Sequence, residues 1–124
     1  MSEYTRTSPN TQVTIPTKEN QIYITASGLS DVPGDPPDLL EVLHCEAWIA
    51  EFCHPIKAIS NRTFSYSLKH RAEDWQYERV HQYVSNGAFI QAAVNLGYRY
   101  KRDSPLNAYF NMGIKKSVKT GGLK

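Results

Sequence analysis

The stretch from Leu39 to Cys53 is apolar on too many sides to be an ordinary surface helix. Leu39, Leu43, Ala47 and Ala50 recur at helical spacing on one face, and Leu40, Trp48, Ile49 and Phe52 widen it. A stripe that broad needs contact from more than one direction. The segment is therefore expected to form a helix at the centre of the core. Asp35 is the expected N-cap, Pro36 suits the first helical position, and Asp38 favours the positive end of the helix dipole. His54-Pro55 marks the stop.

Around this helix the chain carries short, well-punctuated elements. Residues 11–15 and 21–26 alternate apolar and polar, which predicts an N-terminal β-hairpin, and the Gly/Pro-rich stretch Ser27–Pro37 reads as a loop. A second helix is expected from Ser65 to about Tyr77, with Thr63 or Ser65 as cap and with Lys69–Glu73 and His70–Asp74 as i,i+4 pairs on its outer side. A third begins at the N-cap Ser85, buries Phe89, Ile90, Ala93, Val94 and Leu96, and stops at Gly97. Tyr98–Arg102 and Ala108–Met112 then have strand character, joined by the turn-rich segment 103–107. The expected organisation is a flexible arm at 1–10, one globular domain at 11–112, and a basic tail at 113–124 that holds Lys115, Lys116, Lys119 and Lys124.

Composition narrows the class. No apolar run is long enough for a membrane span, and the N-terminal residues carry no secretory pattern. Two cysteines in 124 residues make no disulfide framework, so a cytoplasmic, reducing setting is expected. The net charge is only +2, yet residues 1–56 sum to −6 and residues 57–124 to +8. Such polarity points to an acidic partner for the second half.

Helix, helix, helix and basic hairpin give an α+β expectation: a three-helix, winged helix-turn-helix-like domain with a C-terminal hairpin as wing. In that arrangement the third helix would enter a major groove. Its outer face is expected to show Gly87, Ala88, Gln91, Ala92 and Asn95. Gln91 and Asn95 would face base edges, because amides can bond both edge atoms of adenine. Ser85, Asn86 and the first-turn amides would hold a phosphate. Lys69, Arg71, Arg99, Lys101 and Arg102 would neutralise the backbone, with DNA favoured over RNA as the partner. Tyr98 and Tyr100 alternate with the wing cations; their rings would pack inward or stack on unpaired bases.

His44-Cys45 and Cys53-His54 offer zinc-type atoms, but residues 45 and 53 lie two helical turns apart, roughly 12 Å along the axis, too far for one tetrahedral ion. Buried packing is the simpler reading. No phosphate-binding glycine loop, triad motif or dinucleotide fingerprint occurs. Neither enzymatic activity nor a cofactor is expected.

Finally, Ser65-Tyr-Ser-Leu-Lys-His70, Tyr83-Val-Ser-Asn-Gly-Ala-Phe-Ile90, Leu96-Gly-Tyr98 and Asn107-Ala-Tyr-Phe-Asn111 resemble small proteins of phages, plasmids and integrated elements. The resemblance spans residues 60–112, under half the chain. It implies a mobile-element setting, where short proteins bind nucleic acid or disable host machinery. The alternative function is accordingly an inhibitor of a host defence complex that acts by protein–protein binding. Its docking face would be the acids Asp31, Asp35, Asp38, Glu41, Glu46 and Glu51.

Overall fold

The computed structural model describes residues 13–16, 21–75, 83–103 and 105–115. Among these it has an α+β fold of three helices and two antiparallel three-stranded sheets. The expected hairpin forms from β1 (Val13–Pro16) and β2 (Gln21–Thr25). The stretch expected to be loop adds a third strand, β3 (Gly28–Ser30), paired to β2. Gly28 at φ +140° permits the tight return, and the Thr25 hydroxyl donates to the Gly28 carbonyl at 2.9 Å. Leu29 is then fully buried.

Helix α1 (Leu39–Phe52) starts later than the cap signals implied. Pro36 precedes another proline, and a residue before proline is driven out of helical geometry. Asp38 is the N-cap instead, accepting from the Leu40 and Glu41 amides at 3.0 and 3.3 Å. Directly after α1 comes a strand without clear sequence precedent, β4 (Cys53–Phe64). It is mostly exposed and its pairing shifts register twice, so no clean alternation marks it. Pro55 is tolerated because β4 is an edge strand of the sheet order β4-β6-β5.

Helix α2 (Ser65–Asp74) has no side-chain cap, because both candidate caps are engaged with β6 (Asn107–Ile114). Thr63 Oγ1 donates to the Phe110 carbonyl at 2.7 Å, and Ser65 Oγ accepts from the Ala108 amide at 3.1 Å. Trp75 is already extended, so α2 ends before the expected Tyr77, which lies outside the described residues. Helix α3 (Asn86–Asn95) matches its signals: Ser85 Oγ accepts from Ala88, and Gly97 at φ +92° closes the far end. There the Gly97 and Tyr98 amides donate to the Val94 and Ala93 carbonyls, a Schellman closure. Strand β5 (Tyr100–Asp103) pairs with β6 as the predicted hairpin. β6 runs to Ile114, two residues into the expected tail, while the arm at 1–10 and residues 116–124 lie outside the described residues.

The centre of the core is α3 rather than α1. Seven of its ten residues are buried, and it packs on α1, α2, β2, β3 and β6. Phe89 meets Trp48 and Phe110 edge-on at 6.0 and 5.9 Å between ring centroids. The N-terminal sheet lies against the start of α3, where the Gly87 amide donates to the Ala26 carbonyl at 3.0 Å. A Cβ on Gly87 would sit 1.6 Å from the Thr25 carbonyl oxygen, so no larger residue fits without moving backbone. Gly87→Ala should therefore destabilise the protein by about 3 kcal/mol. Gly97→Ala, which has open space but a left-handed φ, should cost only about 1 kcal/mol. Urea unfolding of both variants checks the order.

Candidate nucleic-acid interface

The α3 face expected to read bases is not free. Gly87, Ala88 and Ala92 are buried: the β2–β3 turn meets Gly87, and α1 packs along α3, with Glu41 at Ser85 and Glu46 at Asn95. Gln91 is half-buried, and its Oε1 is shielded from solvent without a partner among the described residues. Asn95 is exposed, but its amide donates to Glu46 Oε2 at 2.8 Å. Ser85 caps α3, and its own amide donates to Glu41 Oε1 at 3.0 Å. Asn86 is buried and its Nδ2 reaches the Ser27 carbonyl, the Leu106 carbonyl and Asn107 Oδ1 at 3.0, 3.3 and 2.9 Å. The first turn of α3 thus braces three segments of chain.

The expected cations separate. Lys69 is buried rather than on the outer side of α2. Its ammonium lies 5.3 and 5.1 Å from the ring centroids of Tyr66 and Tyr83 and 3.4 Å from Glu73. His70 pairs with Glu73 at 3.2 Å, not with Asp74. Arg71 is exposed near the end of α2, close enough for its charge to act on the Cys53 thiol. Arg102 turns toward the N-terminal half and donates to Asp31 at 2.8 Å and to the Pro105 carbonyl at 2.7 Å. Only Arg99 and Lys101 share one exposed surface.

That surface is the outer face of the β4-β6-β5 sheet. In β6 the residues Ala108, Phe110 and Met112 face the core, so Tyr109 and Asn111 lie on the other face, where Tyr109 is half-buried and Asn111 is itself buried. Lys101 is directly opposite Tyr109, and Tyr109 is opposite Phe64 on β4. The two rings stand 5.2 Å apart, tilted by 44°, and both are half-buried. One row across the sheet therefore reads Phe64, Tyr109, Lys101. Asn111 fixes the neighbouring row: its Oδ1 accepts from the Arg99 amide at 2.6 Å and its Nδ2 donates to the Ile56 carbonyl at 3.0 Å. The Arg99 guanidinium donates to the Lys57 carbonyl. Lys57 and Arg62, both exposed, add charge along β4, which holds no acid; Asp103 closes the β5 end.

Tyr98 and Tyr100 pack inward on the core, and burial pushes both phenols above their ordinary range. The available aromatics are instead Phe64 and Tyr109. Period-2 alternation about the buried Phe110 could have placed Tyr109, but Lys57, Arg62 and Phe64 fall in a segment without strand periodicity.

Both thiols and the His44 imidazole are engaged in packing, whereas His54 is exposed. Cys45 and Cys53 are buried; burial raises both thiols, Cys53 to about 12, so neither is a thiolate near neutral pH. His44 Nε2 lies 2.8 Å from the Ala72 carbonyl, its ring against Trp75. No group of three metal-ligating side chains occurs among the described residues. No helix among them is long and apolar enough to cross a membrane. Comparison with known proteins finds no matching family model, curated protein or solved structure.

Glu73 carries the pH dependence that this geometry creates. Burial alone would raise its carboxyl, but the Val84 amide, Lys69 and His70 together hold it below the ordinary carboxylate value. A carboxyl depressed on folding contributes stability above its unfolded pKa and loses it as pH falls through the folded value. The stability difference between neutral pH and pH ~3 should therefore be smaller in Glu73→Gln than in the parent, as read by urea midpoints at the two pH values.

Proposed function

We propose that this protein binds nucleic acid through the outer face of the β4-β6-β5 sheet, at the row Phe64, Tyr109 and Lys101, with unpaired bases against the two rings. Arg99, Lys101, Lys57 and Arg62 would neutralise phosphates. The observation that carries the reading is the cross-strand row of two contacting, half-buried rings and an exposed lysine, flanked by Arg99, on the outer face of the sheet. Aromatic faces stack on any base, and cations beside them follow the backbone. Helix–strand–helix–helix–hairpin order, with β6 central in its sheet, supports a winged-helix-like reading in which the wing rather than α3 makes the contact. A single strand is the preferred partner, since a face of rings and cations requires exposed bases and no groove.

Affinity for a mixed-sequence single strand should fall steeply with salt. Four phosphate contacts give a log–log slope of about −3, and Arg99→Ala with Lys101→Ala should reduce it by about 1.4. Tyr109→Ala should weaken binding by about 1–3 kcal/mol and leave the slope unchanged. Fluorescence anisotropy across a salt series measures both. Absence of binding to single-stranded DNA and RNA at about 50 mM salt would overturn the proposal.

A further inference from the structure

The breadth of the apolar stripe on α1 is only half accounted for by the fold. Val42, Cys45, Trp48 and Ile49 face the core. The opposite side, which should be polar in a surface helix, holds Leu40, Leu43, Ala47 and Ala50 in 3-4-3 spacing. Leu40 is 66% exposed and Leu43 37%. At its C-terminal end this stripe runs into a groove of about 220 Å³ between the ends of α1 and α3, where Ala50 meets Ile49, Cys53, Pro55, Leu96 and Tyr98. Leu96 is itself 44% exposed. The groove is smaller than sites for drug-sized ligands, which begin near ~300 Å³, and matches a single large apolar side chain.

Its electrostatics select the occupant. Helix α1 contains Glu41, Glu46 and Glu51 and no lysine or arginine. Glu46 is fixed beside the groove by Asn95, and Glu51 is exposed in the last turn. Both α1 and α3 end at the groove, and neither has a basic residue in its last turn, so two negative helix ends add to the glutamates. Arg71 and Lys115 are near enough to act on Cys53 at one wall of the groove, so the acidic part of this surface is the α1 side that carries Glu46 and Glu51. Apposing two copies of this face would bring glutamates together with no cation of either helix between them. We infer that α1 and the α1–α3 groove dock a helix of another protein, one with an apolar seam flanked by lysine or arginine. One large side chain of that helix enters the groove as its anchor. This surface is separate from the sheet face and does not depend on nucleic-acid binding.

The probe is a designed helical peptide with heptad-spaced leucines flanked by lysines, paired with a counterpart flanked by glutamates. Titration of the isotope-labelled protein should shift amides of α1 and of residues 95–98, with the lysine peptide about tenfold tighter. Leu43→Lys with Ala50→Lys should abolish the shifts, as should Leu96→Lys alone; all three positions are at least partly exposed, so folding should survive, and the thermal melt verifies it. Glu46→Gln with Glu51→Gln should erase most of the preference between peptides, and Arg99→Ala with Lys101→Ala should leave both affinities unchanged. Equal affinity of the two peptides, shifts centred elsewhere, or a dimer in sedimentation that Leu43→Lys dissolves would each overturn the inference.

Discussion

The first turn of α3 holds the architecture together. The Asn86 carboxamide donates to Ser27, Leu106 and Asn107, and the next amide, Gly87, donates to Ala26. The Leu29 amide adds a bond to the Leu106 carbonyl at 2.9 Å. These bonds join the N-terminal sheet, the central helix and the turn of the C-terminal hairpin. The N-terminal sheet is made of strands of three to five residues. It has too little area to persist unsupported, so its attachment to α3 is a condition of its folding. The same attachment explains the glycine at position 87: backbone approaches backbone there, and a side chain would intervene.

This constraint also determines where positive charge can meet a partner. With α3 buried, a major-groove contact through its outer face has no room, and α3 has no cation to offer. Part of the charge polarity along the chain is consumed inside the fold. Arg102 of the basic half pairs with Asp31 of the acidic half, while Glu41 and Glu46 receive donors from Ser85 and Asn95. Lys69 is neutralised by Glu73 beneath two tyrosines. Arg99 and Lys101 stay exposed on a sheet whose outer row is aromatic, and Lys57 and Arg62 stay exposed on its edge strand β4. Cations and two contacting rings therefore lie on the same sheet, which is the basis of the proposed single-strand contact.

Helix α1 shows the complementary case, an apolar side that stays partly exposed among the described residues. Its core side is satisfied by α3 and by the aromatic contacts of Trp48 and Phe52. Its other side mixes exposed leucine and alanine with glutamate, at a cost in solvation that a folded monomer does not recover. The protein thus presents two unlike surfaces: one cationic and aromatic on a sheet, the other acidic and aliphatic on a helix.

Local chemistry alone determined much of this. Ser85 and Gly97 delimit α3 because a hydroxyl cap and a left-handed glycine act on adjacent backbone, and the hairpins follow from turn residues and alternation. The excess apolar surface of α1 was equally legible, since helical spacing is a property of consecutive residues. Tertiary structure decided what each element faces. β4 escaped notice because an edge strand with register breaks needs no periodic pattern; its pairing is supplied by β6. Asp38 displaced Asp35 as cap through the geometry of two adjacent prolines, a local rule. Whether Lys69, Gln91 and Asn86 met solvent depended on chain up to 59 residues away. Exposure is a sum over distant neighbours, and helical or strand periodicity carries no information about which neighbours arrive.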